Sequence, residues 1–284
     1  MKKLIAVLSL FFTVFVLANS GRMPVSNTLT DFIQKFQPVY ISLLTNFSSS
    51  PKVFRIVKFG YNLDVDVGSV EHIWSTGGEQ ICSTIGETIE IVSDSIQDNA
   101  GGTGASSVFV DGLDENGLYL IEYLDLNGTT PVTTLNKFIF INRLAITAAG
   151  SSRSNVGTIS SVQSTSRIAT DIIDPDLGVS QHFNYRVPYD RRCYINKVLL
   201  STDKLSGGAT PRVTFVFRRY NPLTTVDYVL RREIIDTSAE SSREYNDFKS
   251  VALESGEIFY IEVETTTNDT EVHGTIDVTC MTNL

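Results

Sequence analysis

The side chains that could do chemistry are few, and their spacing is poor for it. The histidines are His72, His182 and His273, so imidazole-based catalysis must recruit one of them. None lies in a His-Glu-x-x-His pair, and there is no Gly-x-Ser-x-Gly elbow or Cys–His arrangement. Asp64, Asp66, Glu71 and His72 form an acidic cluster, but it lacks zinc-ligand spacing. Its carboxylates alternate with Leu63, Val65 and Val67, as solvent-facing strand positions do. Gly101, Gly102 and Gly104 invite a phosphate-loop reading that fails, because no Lys-Ser/Thr opens a helix after them. Asp111, Asp114 and Asn116 make half a calcium loop without its closing Glu, and read better as a hairpin turn. A glycosidase could use two carboxylates without any signature, yet the long repetitive strands of a depolymerase solenoid are missing. The sequence therefore predicts a non-enzymatic chain with no metal and no cofactor.

Binding is better represented. Trp74, the single tryptophan, is either a packing anchor or a platform for a sugar. Three arginine pairs stand out: Arg191-Arg192, Arg218-Arg219 and Arg231-Arg232. On a strand each pair puts one guanidinium on each face. The net charge of −9 and the lack of interleaved aromatics argue against a nucleic-acid partner. The expected partners of Arg191, Arg218 and Arg231 are carboxylates, within or between subunits. Cys82, Cys193 and Cys280 are odd in number and far apart. They predict buried free thiols, with one long-range pair open to an exported chain.

The elements that position these residues are mostly strands. Residues 1–20 form a signal-like segment: Lys2 and Lys3, an apolar run from Leu4 to Leu17, then Ala18-Asn19-Ser20. The run is shorter than the roughly 20 residues of a comfortable span, and no stable membrane span is expected after processing. Export, an anchor, or a true start at Met23 all fit it. Residues 21–52 read as an arm ending in the linker Asn46–Pro51. Within it Leu29, Phe32, Ile33 and Phe36 share one face of a short helix, whose Phe32 and Phe36 pack on the chain's own sandwich or on a neighbouring subunit. Beyond the arm, period-2 runs are punctuated by turns. They include Val53–Phe59, Leu118–Leu126, Phe138–Thr147, Cys193–Ser201, Arg212–Tyr220, Val226–Ile235, Phe259–Thr265 and Thr275–Met281. The expected fold is all-β, an antiparallel β-sandwich or jelly-roll-like arrangement in one or two modules, with the short N-terminal helix. A division near residue 160 would give modules 53–160 and 161–284.

A string of turn motifs runs through the first of these. It comprises Gly60-Tyr61-Asn62, Ile73-Trp74, Gly77-Gly78, Gly102-Thr103-Gly104-Ala105, Gly112-Leu113-Asp114, Leu126 to Val132, Ile141-Asn142-Arg143 and Ala149 to Gly157. With these motifs the chain resembles a family of tailed-phage virion structural proteins, frequent among marine and cyanobacterial phages. The resemblance covers residues 55 to 160 well and the C-terminal half more loosely, and it brings no catalytic residue.

What the resemblance implies is a virion subunit, either capsid decoration or a tail or fibre component, working through protein–protein contact. Its partners would be other virion subunits and copies of itself, as a homo-oligomer such as a trimer, with a host-surface glycan as a further partner. Virion proteins assemble in the cytoplasm, which conflicts with the signal-like start. Read at face value, that start gives the alternative: a secreted or periplasmic carbohydrate-binding or adhesive β-sandwich module, with Trp74 or exposed tyrosines as its platform. Cleavage of the first 18 to 20 residues separates the two readings.

Overall fold

The structure is a computed structural model that describes residues 52–204, 210–248 and 251–282. The signal-like segment and the predicted helix with Phe32 and Phe36 lie outside the described residues. The chain divides into two compact units, Met1–Val53 with Leu284 and Phe54–Asn283, and the sheets are those of the second. Among the described residues there are strands and no α-helix, and every ladder within the three sheets whose register is defined is antiparallel.

Two sheets share one core. The first has the order β1 (Val53–Val65), β16 (Thr270–Thr282), β10 (Arg191–Lys204), β13 (Ser242–Tyr245), with β14 (Ala252–Leu253) also on β10. The second has the order β12 (Val226–Asp236), β11 (Arg212–Asn221), β15 (Ile258–Thr265), β2 (Glu71–His72), with β9 (Tyr185–Arg186) also on β15. Side chains alternate across a strand, so every second residue faces the partner sheet. Val198, Leu200, Ile276 and Val278 from the first sheet meet Phe215, Phe217, Ile261 and Val263 from the second in a single buried cluster. Phe217 is its aromatic hub, with ring centroids of Phe248, Tyr245 and Phe259 at 5.0, 5.3 and 6.4 Å.

The third sheet has six strands in the order β5 (Tyr119–Asp125), β4 (Ala105–Asp114), β6 (Val132–Ala149), β3 (Glu87–Ser93), β7 (Ile159–Gln163), β8 (Ala169–Ile173). It buries a separate cluster that includes Ile91, Val108, Val110, Phe138, Leu144 and Ile173. Sheet boundaries do not follow the expected division near residue 160. β1 and β2 join the C-terminal strands, while β7 and β8 pair back toward β3. The six-stranded sheet is thus inserted, in sequence, between β2 and the rest of the sandwich.

The cysteine expectation needs correction. Cys193 of β10 lies directly opposite Cys280 of β16, with Cα atoms 4.0 Å apart, and the two form a disulfide across 87 residues of sequence. Only Cys82 remains a free thiol. The pairing depends on a ladder between strands far apart in the chain, so spacing alone could not reveal it. No helix among the described residues is long and apolar enough to cross a membrane.

Candidate functional site

The described residues that come closest to a chemical constellation lie in a buried polar seam joining the sandwich to the six-stranded sheet. On β1, Phe54, Ile56, Lys58, Gly60 and Asn62 share one parity, and the last three of them are buried. Gly60 is required where it stands. A Cβ there would sit 2.5 Å from the Phe183 nitrogen and 2.8 Å from the Ile73 carbonyl oxygen. This close passage carries Lys58 inside, with its Nζ 2.6 Å from His182 Nε2 and also donating to the Asn184 carbonyl. His182 Nδ1 is 2.8 Å from Oδ1 of Asp171 on β8, and both side chains are 1% exposed.

The seam extends on both sides of this array. The Asn184 amide donates to Gln80 Oε1 at 2.8 Å, and the Gln80 backbone N–H donates to His72 Nδ1 at 3.1 Å. Asn142 of β6 pairs with Arg186 of β9 as a strand would: its Oδ1 accepts the Arg186 N–H at 2.9 Å and its amide donates to the Arg186 carbonyl at 3.1 Å. Arg143 of β6 bonds Asp111 of β4 at 3.1 Å and lies over the Phe109 ring. Oδ2 of Asp171 and Oδ1 of Asn184 are buried without a hydrogen-bond partner.

Burial dominates the electrostatics. It pushes the Lys58 ammonium down to about 7, a shift that Asp171 and Asp111 resist and Arg143 reinforces. Burial likewise lowers His182, and it takes His72 down to about 4 with help from Arg218. Asp111 is raised by burial against the pull of Arg143. Such an array can hold and exchange protons. A neighbouring cavity, lined in part by Gln80, Phe138, Gln163 and Thr170, measures about 10 Å³, room for one water molecule. Among the described residues no three His, Cys, Asp or Glu side chains are grouped to hold a metal.

The residues singled out from sequence are dispersed. Trp74 is only 5% exposed and donates its indole N–H to the Gly78 carbonyl at 3.0 Å. It is a packing anchor, and its ring offers no open face for a sugar. Arg191 is buried between the rings of Phe54 and Tyr119, 4.2 and 4.3 Å from their centroids. Arg218 pairs with Asp227 and Glu262, each at 2.6 Å. Arg231 pairs with Glu233 and Asp247. These partners are all within the chain. The acidic cluster runs from the end of β1 to β2, and its Glu71, expected to face solvent, is buried instead, accepting from Asn62, Ser69 and the backbone of Asp66 and Gly78. The half calcium loop is a hairpin turn, with Asp114 Oδ1 accepting the N–H groups of Asn116 and Leu118.

Sequence reasoning missed Lys58, Asp171 and Asn184. The available signal was parity: a lysine shares its strand face with Phe54, Ile56 and Gly60.

No protein-family model matches this chain, and no curated protein matches it. Among solved structures, the Yersinia pseudotuberculosis-derived mitogen is similar at 12% identity, over 34% of this chain and 80% of its own, with a TM-score of 0.19. The infectious bursal disease virus Gx strain structure is similar at 8% identity, over 82% and 77%, with a TM-score of 0.20. The Gt strain structure of the same virus gives 6% identity, over 84% and 79%, and a TM-score of 0.14.

Proposed function

We propose that the chain is a non-enzymatic structural subunit of a tailed-phage virion, a capsid decoration or a tail component, acting through assembly contacts. The observation that carries this reading is strand order. Number the eight principal sandwich strands (β1, β2, β10, β11, β12, β13, β15, β16) from one to eight. The two sheets then run 1-8-3-6 and 2-7-4-5. This order supports a jelly-roll reading of the sandwich, since it matches a double Greek key, an arrangement used by viral capsid and lectin domains. Strand order speaks to architecture, and the step to a virion is an analogy at fold level.

Four of the motif residues behind the family resemblance, Gly60, Gly77, Gly78 and Asn142, add support through a geometric task. Gly77 and Gly78 adopt φ of +72° and +68°, which favour glycine. Gly60 allows the close passage of β1, and Asn142 bonds across to β9. For assembly, β1 is an edge strand among the described residues, and its Val57, Phe59 and Leu63 point outward together. Assemblies cover such edges. A homo-oligomer, including a trimer, and neighbouring virion subunits are the partners this surface would take. The deciding experiment is mass spectrometry of purified particles with copy-number estimation. Hundreds of copies support capsid decoration and a handful support the tail; absence from particles overturns the reading.

A second reading rests on the Cys193–Cys280 disulfide, which favours passage through an oxidising compartment. In it the chain is an exported adhesive or carbohydrate-binding module. With Trp74 buried, exposed tyrosines such as Tyr123 and Tyr228 would have to face the glycan. A product in the medium or periplasm that begins near Asn19 or Gly21 would favour this reading over the first.

A further inference from the structure

The joint between the two apolar cores contains three ionisable side chains from three parts of the chain. Lys58 comes from β1 of the sandwich and Asp171 from β8 of the six-stranded sheet. His182 lies in the segment that leads from β8 to β9. Their order is fixed by two contacts, Nζ to Nε2 at 2.6 Å and Nδ1 to Oδ1 at 2.8 Å. Donor and acceptor inventories limit what this line can hold. The carboxylate of Asp171 only accepts, so Nδ1 of His182 must carry a hydrogen. Nε2 of the neutral imidazole is then an acceptor, and Lys58 donates to it. If Nε2 gains a proton while Lys58 is an ammonium, two N–H donors face each other at 2.6 Å between two buried side chains. The contact therefore accommodates one hydrogen and rejects a second.

The charged groups that face the array come from every element around it. Asp171 is on β8, and Asp111 of β4 lies beside Arg143 of β6. The two aspartates favour a positive Lys58 and Arg143 opposes it. Within the array itself, Lys58 opposes a positive His182 while Asp171 favours it. The next ring along the seam, His72, is held by Gln80 and Asn184, faces Tyr260 at 4.9 Å and feels Arg218.

We propose that Lys58, His182 and Asp171 form a proton-operated latch between the sandwich and the six-stranded sheet, closed with one hydrogen in the Lys58–His182 contact and opened by a second. Both basic groups are lowered by burial, so the opened chain binds more protons than the closed one and acid favours opening. The sign follows from linkage. For Lys58 the latch is strongest above the ordinary lysine value near 10.4 and weakens as pH falls to about 7. For His182 it weakens again as pH drops below the ordinary imidazole value near 6.5. Histidine switching over this range is a general device.

Hydrogen–deuterium exchange on the full chain between pH 8 and pH 5, corrected for intrinsic rates, tests the latch. Peptides covering β1, β8 and residues 180–184 should exchange about tenfold faster at pH 5. Those of β10 and β16 around the disulfide should not change. In Lys58→Met, which keeps the stem without the proton, His182 no longer faces a second donor, and the pH response of the seam should shrink. His182→Gln, whose side-chain oxygen can accept from Lys58 but takes up no proton, should remove the response below the ordinary imidazole value near 6.5 and leave only that of Lys58. Equal seam protection at both pH values in the wild-type protein overturns the proposal, whether or not either variant folds. So does a folded variant that retains the wild-type pH response.

Discussion

Asp98 holds the turn region of the six-stranded sheet together through one carboxylate. The side chain is fully buried. It accepts the N–H groups of Ala105, Val156 and Gly157 at 2.8, 2.9 and 2.9 Å, and the Ser93 hydroxyl at 2.6 Å. Removing it strands these donors away from water, and each buried unsatisfied donor costs about 1–3 kcal/mol. Asp98→Ala should therefore lower stability by at least about 3 kcal/mol, read as a shift in the urea midpoint with an unchanged slope. A loss under about 1 kcal/mol would mean that water replaces the carboxylate. The glycine loops around Asp98 were legible as turns. The carboxylate that ties them was not, because it sits in a polar run and its partners Val156 and Gly157 are 58 and 59 residues away. The same holds for the seam: parity marks Lys58 as inward, but nothing in sequence points to Asp171 or His182 as its neighbours. Trp74 was readable as an anchor, and the indole bond to Gly78 accounts for that role.

At the scale of elements, the strands themselves were largely written in the period-2 runs. The runs at Arg212–Tyr220, Val226–Ile235 and Phe259–Thr265 differ from β11, β12 and β15 by one residue each. Turn chemistry marked the hairpin between β4 and β5, where the Gly117 N–H donates to the Asp114 carbonyl. Pairing was the hidden part, since alternation says which face is buried and nothing about which strand lies alongside. The β10–β16 ladder shows the consequence. It spans the full length of both strands, apart from a shift between Ile195 and Lys197, and brings two distant cysteines into register. A cross-link closing so long a loop constrains the unfolded chain, and losing one typically costs about 2–5 kcal/mol. Reduction, or Cys193→Ala with Cys280→Ala, should destabilise the protein by that amount in denaturant titrations. An intact mass lower by two hydrogens than that of the fully reduced chain would verify the bond directly, and labelling of all three thiols without reductant would refute it.

For the whole molecule, the surface poses the assembly question. Phe59 is 52% exposed on an edge strand, between Val57 and Leu63 on the same face. Phe59→Asp should leave the fold intact, because exposed positions tolerate substitution within about ±0.5 kcal/mol. It should shift the chain toward a smaller species in sedimentation and reduce its incorporation into particles. Unchanged incorporation would move the assembly surface elsewhere. The placement of β1 and β2 has a different consequence, one of timing. They are made about two hundred residues before their partners β16 and β15. The six-stranded sheet finds all its partners within residues 87–173. Short closures cost less entropy than long ones, so that sheet can form on a nascent chain while the first strands of the sandwich wait. β15 and β16 must leave the ribosome before the sandwich closes, and until then β1 is an unsatisfied edge that a chaperone, or a second nascent copy, can reach first.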